Sequence, residues 1–264
     1  MSRILPGIIM TALWVLLIAF GPESLFWLAI TILSCVGLYE YFKMTIGTSS
    51  GSRLFLIILV AVIPTALSLY QRPEWVMAGL FVSLFGTILL SLKYYSRFDN
   101  ALYFLGLTCF GVLYIAFCLG HLVFIRYLPQ GASWLIVLTV ITAGADTGAY
   151  YIGRNFGKRK LCSQISPGKT VEGALGGIMV GSVSAMLAGL FLLPEFRPSV
   201  IFAAALFLSA VSISGDLAES IVKRSVDVKD SGSLLFGHGG LLDRIDSLLI
   251  AAPVLYYLLD LGLL

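Results

Sequence analysis

Four polar side chains within one apolar stretch share the spacing of a single helix face and could bind a cation or a phosphate. The predicted helix over residues 199–223 carries Asp216, Glu219, Ser220 and Lys223, at positions i, i+3, i+4 and i+7. An aspartate inside a membrane-spanning helix costs about 2.5–3.5 kcal/mol of insertion free energy, so an unpaired carboxylate there is unusual. The pattern favours a metal or phosphate site that faces the helix bundle. A buried structural network neutralised by Lys223 is the alternative.

A second acidic pair lies on the predicted helix over residues 240–262. Asp243 and Asp246 stand three residues apart and share one face, whereas Arg244 points about 100° away. Paired carboxylates suit a hard cation such as Mg²⁺, which also takes oxygens from substrate phosphates. The alternative is that acids favour the positive end of the helix dipole, which explains one aspartate more readily than two.

Asp146 belongs to a third polar stripe, on the predicted helix over residues 132–153. Thr142, Asp146, Tyr150 and Arg154 follow one another at four-residue steps. The residues before Asp146 are alanine and glycine, which are small enough to let membrane helices approach closely. A functional role is therefore favoured over plain hydrogen bonding between helices.

The predicted loop 154–170 concentrates basic residues and ends in Gly168-Lys169-Thr170. This ending is typical of a P-loop, but Ser163 stands where that motif requires its first glycine, and no parallel strand is predicted before it. Glycine N–H groups and basic side chains before a helix still favour a polyanion site. The alternative is that part of this charge only marks the cytoplasmic side or attracts anionic lipid headgroups.

One of the two histidines, His238, lies between Gly237 and Gly239 at the end of a second predicted loop, 225–239. Glycine permits positive φ and a close approach of the backbone to a ligand. We therefore expect His238 to bind phosphate or to act as an acid. A metal-ligand role is weak, because no cysteine or second histidine accompanies it. His121, on an apolar helix, is expected to be a hydrogen-bonded core residue.

The elements that must position these residues are membrane helices. Of the 264 residues, 59% are hydrophobic and 12% are charged, whereas soluble domains are about 45–50% apolar. Apolar runs near the ~20 residues that cross a bilayer cover most of the chain. The predicted fold is all-α, a polytopic integral membrane protein with about nine transmembrane helices. These lie near residues 4–20, 24–43, 53–70, 74–92, 100–125, 132–153, 172–193, 199–223 and 240–262.

The distribution of lysine and arginine predicts the orientation of these helices. Arg72, Arg126 and Arg197 fall on one side, and the other fourteen of the seventeen basic residues fall on the opposite side. Because cytoplasmic loops carry the excess of basic residues, the N-terminus is expected in the cytoplasm and the C-terminus outside. Residues 1–130 are predicted to form a transmembrane helical scaffold. Residues 131–264 are predicted to form the catalytic transmembrane region, with both polar loops in the cytoplasm.

The spacing of these polar residues resembles the signature of the phosphatidate cytidylyltransferases, or CDP-diacylglycerol synthases. The matching positions are Ser220, Lys223, Arg224, Lys229, Asp230, Gly237, His238, Gly239, Gly240, Asp243, Arg244 and Asp246. The stretch that contains Asp146, Arg154, residues 165–170, Glu172 and Gly173 is similar to that family's nucleotide-binding region. The motifs cover residues 142–247, and the N-terminal helices match only in character.

The resemblance implies a Mg²⁺-dependent membrane enzyme that joins CTP and phosphatidate into CDP-diacylglycerol and releases pyrophosphate. A multi-pass homodimer is expected in the inner membrane, with its site facing the cytoplasm, with membrane lipid bound and without a nucleic acid partner. One or two divalent or mixed cations are assigned to Asp216, Asp243 and Asp246. Catalytic roles are assigned to Lys223, Arg224, His238, Asp243, Arg244 and Asp246. Nucleotide or cofactor binding is assigned to Asp146, Arg154, Ser166, Lys169, Thr170, Glu172, Ser220, Lys229 and Asp230.

Two alternative functions stay open at this point. A relative that uses the same CTP chemistry on an isoprenoid phosphate lipid would share these motifs, because they encode only headgroup chemistry. An ion-coupled transporter would also place Asp146, Asp216 and Glu219 within its spans. Against transport, the charges gather at one membrane face and no inverted repeat is evident. A CDP-alcohol phosphotransferase is disfavoured, because the Asp-Gly-x-x-Ala-Arg signature of that family is absent from the sequence.

Overall fold

The computed structural model describes residues 4–47, 51–97, 100–232 and 239–264. Among these residues, seven helical segments are long and apolar enough to cross a bilayer. They are Glu23–Thr45, Gly51–Tyr70, Pro73–Lys93, Ala101–Tyr127, Gly131–Phe156, Val171–Leu192 and Pro198–Ser225. The predicted helical, multi-pass class is therefore confirmed, whereas the count of nine spans and the orientation stay predictions. The first and last predicted spans are also helical in the structure, over Ile4–Phe20 and Leu242–Asp260.

The chain forms two compact units, each assembled from two segments. The first unit comprises Met1–Tyr127 and Asp230–Arg244, and the second comprises Leu128–Lys229 and Ile245–Leu264. The helix that begins at Leu242 therefore contributes Asp243 to the first unit and Asp246 to the second. The functional division predicted at residue 130 stays a prediction.

The described part of the first unit contains seven α-helices and the start of another. They are α1 (Ile4–Phe20), α2 (Glu23–Thr45), α3 (Gly51–Ala61), α4 (Ile63–Leu67), α5 (Pro73–Lys93), α6 (Ala101–Gly111) and α7 (Cys118–Tyr127), with a π-helical segment, Val112–Phe117, between α6 and α7. The predicted span 53–70 is divided between α3 and α4, because Pro64 in the first turn of α4 has no N–H to continue the hydrogen-bond ladder. Short 3₁₀ turns at Ser68–Tyr70 and Tyr95–Arg97 follow α4 and α5.

Thr65 joins three helical segments in the core of the first unit. Its Oγ1 donates a hydrogen bond to the carbonyl oxygen of Ala116 in the π-helical segment, at 2.7 Å. The same atom lies 3.0 Å from Oγ of Ser34 on α2, and both hydroxyl side chains are fully buried. Buried polar groups of this kind are stable only when they are hydrogen-bonded. The contacts therefore fix α2 and α4 against the π-helical segment.

The second unit is built around three long helices. Its elements are α8 (Gly131–Phe156), β1 (Lys160–Cys162), β2 (Ser166–Thr170), α9 (Val171–Leu192), α10 (Pro198–Ser225) and the larger part of α11 (Leu242–Asp260). Glycine allows the backbones of α8 and α9 to touch. A Cβ at Gly177 would lie 2.5 Å from the carbonyl oxygen of Ala145, and one at Gly181 would lie 2.8 Å from that of Ile141. This contact sets the distance between the polar stripe of α8 and the first turn of α9.

The predicted loop 154–170 contains a short antiparallel hairpin that its sequence pattern does not predict. Strand β1 pairs with β2, with Lys160 opposite Thr170. Strand β2 includes Pro167 and Gly168, which are depleted in strands and give little sequence signal for one. The side chain of Lys160 supports the hairpin by donating to the carbonyl oxygen of Pro167 at 2.7 Å.

Candidate active site

The second unit contains a cavity of about 520 Å³ bounded by α8, the hairpin, α9 and α10. Six residues that were assigned to binding from the sequence line it: Asp146, Arg154, Ser166, Lys169, Thr170 and Asp216. The volume falls within the ~300–1,000 Å³ that is usual for small-molecule sites. The fold therefore brings together residues from three separate stretches of sequence.

An ion pair between Lys169 and Asp216 lies at this cavity. The Nζ of Lys169 is 2.5 Å from Oδ2 of Asp216, and the two side chains keep 26% and 27% of their surface exposed. Lys169 lies on β2 and Asp216 on α10, so the pair links the hairpin to that helix. The Nζ atom of Lys169 is itself buried in this pair, so an anionic ligand would have to compete with Asp216 for it.

Three carboxylates of the second unit lie close enough to repel one another. Asp216 acts electrostatically on Asp146, and both of these aspartates act on Asp246, while Lys169 attracts Asp146. The Oγ of Ser247 lies 3.5 Å from each carboxylate oxygen of Asp146, and the N–H of Ser247 donates to Asp246 at 2.7 Å. A bound positive charge would relieve the repulsion among these carboxylates.

Arg154 points its guanidinium along α8 toward the preceding turn. Its Nη1 donates to the hydroxyl oxygen of Tyr150 at 3.1 Å, and both residues are exposed at the cavity. The tyrosine occupies one of the five donors of a guanidinium, which otherwise matches phosphate geometry well. Its assignment to ligand binding stays a prediction.

The start of α9 is held by its own side chains. The Oγ1 of Thr170 accepts a hydrogen bond from the N–H of Gly173 at 3.1 Å and so caps the helix. The carboxylate of Glu172 accepts from the N–H groups of Lys158 at 2.9 Å and Arg159 at 3.1 Å. Thr170 and Glu172 thereby shape the turn that leads into the hairpin. Their assignment to ligand binding stays a prediction.

Lys223 is engaged with a buried acid on its own helix. Its Nζ donates to Oε2 of Glu219 at 2.7 Å, and the two side chains are 13% and 0% exposed. Glu219 also interacts with the side chain of Asp246. Removing the lysine would leave a buried carboxylate uncompensated, which is strongly destabilising. The pair thus matches the structural network considered from the sequence, and a phosphate-binding role for Lys223 stays a prediction.

Arg224 connects α10 to the hairpin region. Its Nε donates to the carbonyl oxygen of Ile165 at 3.2 Å, and its Nη1 contacts the carbonyl oxygen of Val228 at 3.4 Å. Arg224 and Lys229 are exposed, and Ser220 is half-buried on α10. The exposed guanidinium remains accessible to a ligand at the hairpin.

In the first unit, Asp243 closes the start of α11. Its carboxylate accepts the N–H of Gly240 at 2.8 Å and the N–H of Ser231 at 3.0 Å. An acid in the first turn that accepts the N–H three residues earlier is typical of helix capping. An acid at the start of a helix is also what the helix-dipole alternative predicts, and a cation-binding role for Asp243 stays a prediction. Asp230 and Arg244 are exposed.

Comparison with known proteins shows to which family the chain belongs. The profile of the cytidylyltransferase family matches residues 1–261. The chain belongs to the cytidylyltransferase family. A phosphatidate cytidylyltransferase of Bacillus subtilis (strain 168) is 35% identical over 266 residues, which cover 98% of this chain and 97% of that protein. A phosphatidate cytidylyltransferase of Pseudomonas aeruginosa is 35% identical over 260 residues, which cover 95% of each chain. One of Haemophilus influenzae is 42% identical over 132 residues, which cover 48% of this chain and 46% of that protein.

The carboxylates of this cytidylyltransferase have the chemistry of ligands for a hard cation. Within the described ranges, no group of three or more His, Cys, Asp or Glu side chains is placed so that it could hold a metal ion by itself. Mg²⁺ usually takes one or two carboxylates and completes its coordination with water and substrate phosphates. Asp146 and Asp216, which line the cavity, and the neighbouring Asp246 fit that pattern. His238 lies outside the described residues.

Among the residues that the structure describes, two buried acids are missing from those assigned from the sequence. Glu40 on α2 is 2% exposed and Glu219 on α10 is 0% exposed. Glu219 stood in the acidic helix-face pattern, but Glu40 did not belong to any motif. The signal that points to Glu40 is its occurrence in an apolar helix, because ionisable residues in membrane segments are costly and often functional.

Proposed function

We propose that this cytidylyltransferase transfers the cytidylyl group of CTP to phosphatidate, giving CDP-diacylglycerol and pyrophosphate. The observation that carries the proposal is the cavity of the second unit, where Lys169 and Asp216 from separate motifs pair beside Asp146. The names of the relatives from B. subtilis and P. aeruginosa support phosphatidate as the lipid substrate. A triphosphate and a lipid phosphate are both anions, and a cavity with preorganised charges suits a reaction between them.

In the proposed reaction, a phosphate oxygen of phosphatidate attacks the α-phosphorus of CTP. A new P–O bond forms there, the bond from the α-phosphorus to the oxygen that bridges to the β-phosphate breaks, and pyrophosphate leaves. The attacking oxygen is already anionic, so the reaction requires no general base. Catalysis is then mostly positioning and charge neutralisation.

The basic residues around the cavity are proposed to bring the two anions together. Lys169 would bind the triphosphate when a cation binds to its partner Asp216. Arg154 and Arg224 are exposed guanidiniums and would bind phosphate oxygens in a bidentate manner. Lys223 would contribute its charge from the pair with buried Glu219. Each contact lowers the repulsion between CTP and the lipid headgroup.

We expect one or two divalent cations, Mg²⁺ by preference, at the acidic cluster. Asp146, Asp216 and Asp246 would hold them, and Asp243 is a further candidate. Charge withdrawal from the triphosphate oxygens is the chemistry that such a cation supplies. The mutual repulsion of the three carboxylates in the second unit supports the assignment, because it would be relieved by positive charge.

The proposed setting is the inner membrane, with nine spans, a cytoplasmic N-terminus and the cavity open to cytoplasmic CTP. The asymmetry of lysine and arginine supports this direction. The acyl chains of phosphatidate would stay in the bilayer while the headgroup reaches the cavity from the side. A homodimer is expected from the resemblance to the family.

The activity is tested with purified full-length protein in detergent, labelled CTP, Mg²⁺ and phosphatidate. We expect a CDP-lipid and one pyrophosphate for each lipid converted. ATP in place of CTP, or diacylglycerol in place of phosphatidate, should give no product. Turnover without a sealed vesicle also separates an enzyme from a transporter. A product from polyprenyl phosphate but not from phosphatidate would replace the proposed substrate, and no CDP-lipid from either would refute the activity.

A further inference from the structure

Glu40 is a buried carboxylate of the first unit that has no part in the reaction as proposed. It lies near the C-terminal end of α2 and exposes 2% of its surface. The two residues that follow it, Tyr41 and Phe42, are buried as well. A carboxylate in such surroundings is costly unless its oxygens are hydrogen-bonded. The identity of its partners therefore indicates its role.

Three donors to Glu40 come from a segment that follows it by 191 to 202 residues. The N–H of Leu241 donates to Oε1 at 3.0 Å, and the N–H of Leu242 donates to Oε2 at 2.9 Å. The hydroxyl of Ser231 donates to Oε2 at 3.3 Å. The first N–H groups of a helix have no partner within that helix. Glu40 thus caps α11 from a distant part of the chain.

Glycine at two positions gives the backbone room to reach this carboxylate. A Cβ at Gly232 would lie 2.6 Å from Oε1 of Glu40, and a Cβ at Gly240 would lie 2.6 Å from Oε2 and overlap Oγ of Ser231. Real Cβ contacts essentially never fall under 3.0 Å. Gly240 belongs to the signature shared with the family, and this contact supplies a physical reason for a glycine there.

We propose that Glu40 is a positioning residue for cytidylyl transfer, which acts by anchoring residues 230–232 and 239–244. Its carboxylate ties Ser231 to the first turn of α11, where Asp243 also accepts two backbone N–H groups. The inference rests on the proposed function, because these two stretches carry Asp230, Asp243 and Arg244, three of the residues assigned to the site. An anchor that holds catalytic groups in register affects turnover strongly, since a misplacement of about 1 Å can cost ~10²-fold in rate.

The test variant is Glu40→Gln, which keeps the shape but turns one acceptor into an amide that faces backbone N–H donors. In the purified full-length protein we expect kcat to fall at least about tenfold. The KM for CTP should change less than kcat, because Lys169 and Arg154, which are proposed to bind phosphate, lie on the hairpin and α8 rather than beside Glu40. Amide hydrogen exchange should accelerate at Leu241 and Leu242 and stay unchanged in α8 and α9. Glu23→Gln, at an exposed position on the same helix, is the matched control and should behave as wild type.

The outcomes separate this proposal from the function on which it rests. Faster exchange at Leu241 and Leu242 with wild-type kcat would show that the contact is purely structural and would overturn the proposal. Unchanged exchange at these residues would also overturn it. An inactive wild-type protein would instead refute the proposed function. If Glu40→Gln does not fold, Ser231→Ala removes a single donor and should lower kcat by about two- to fivefold, the scale of one hydrogen bond. Wild-type kcat in folded Ser231→Ala would then overturn the anchor role.

Discussion

A single methyl group at Gly177 is expected to push α8 and α9 apart. A Cβ at this position would lie 2.5 Å from the carbonyl oxygen of Ala145 and 3.0 Å from Cβ of Ala149. Tolerated contacts begin at 3.0 Å and ordinary ones at 3.4 Å. To lengthen the 2.5 Å contact to between 3.0 and 3.4 Å, the two backbones must separate locally by about 0.5–0.9 Å in the Gly177→Ala variant.

Two opposing free energies set the cost of this change. Alanine is favoured over glycine in a helix by roughly 0.5–1 kcal/mol, whereas overpacking a close contact costs about 1–3 kcal/mol. The net destabilisation is therefore up to about 2.5 kcal/mol. Activity should suffer more, because α8 carries Asp146 and Arg154 toward the start of α9. A displacement approaching 1 Å predicts a rate loss of ten- to about a hundred-fold.

Thermal unfolding in detergent and CDP-lipid formation at saturating CTP measure the two effects. Gly106→Ala is the control, because a Cβ at that position of α6 meets nothing within 4 Å. The control should keep full activity and equal or slightly greater stability. If Gly177→Ala matches Gly106→Ala in both measurements, the close contact between α8 and α9 does not determine the cavity, and the reasoning is refuted.

Three further predictions test the charge and the topology. Asp246→Asn keeps the side-chain shape but removes the negative charge, so turnover should fall at least ~10²-fold with folding retained. The control Asp260→Asn, at the exposed end of α11, should have almost no effect. Near-full turnover of Asp246→Asn at every Mg²⁺ concentration would contradict the cation assignment. Chelation of divalent cations should abolish CDP-lipid formation and added Mg²⁺ should restore it, and turnover that persists in chelator excludes a metal requirement. In intact cells, a cysteine at Ser225 should be protected from an impermeant thiol reagent and one at Ser199 should react, whereas labelling of Ser225 would reverse the predicted orientation.

The membrane class and the long helices of the second unit follow from the sequence because their signals are local. Hydrophobic length alone predicts spans over 132–153 and 199–223, and the structure has helices over Gly131–Phe156 and Pro198–Ser225. Residues three or four apart share a helix face whatever packs against it. The motif spacing that resembles the cytidylyltransferases is equally local, and the match of the family profile to residues 1–261 confirms it.

Several residues that line the candidate cavity could be predicted from the sequence, but the ion pair between them could not. Lys169 and Asp216 were each assigned to binding, in different motifs, and the fold joins them in an ion pair. The pair of Lys223 with Glu219, by contrast, joins residues four apart on α10, and the sequence already offered it as an alternative. The partner of Lys169 depends on which elements pack together. Residue type and spacing along one helix do not contain that information.

Long-range contacts were decided by the tertiary structure alone. Glu40 receives N–H groups from Leu241 and Leu242, 201 and 202 residues away, and no local pattern predicts such a partner. In the sequence Gly240 is only a position of the motif, whereas the structure requires a glycine there so that Ser231 and Glu40 can pack against the backbone. The physical reason is the same at each position. A buried carboxylate must be satisfied by whichever donors the packed chain brings to it, and those donors are adjacent only after folding.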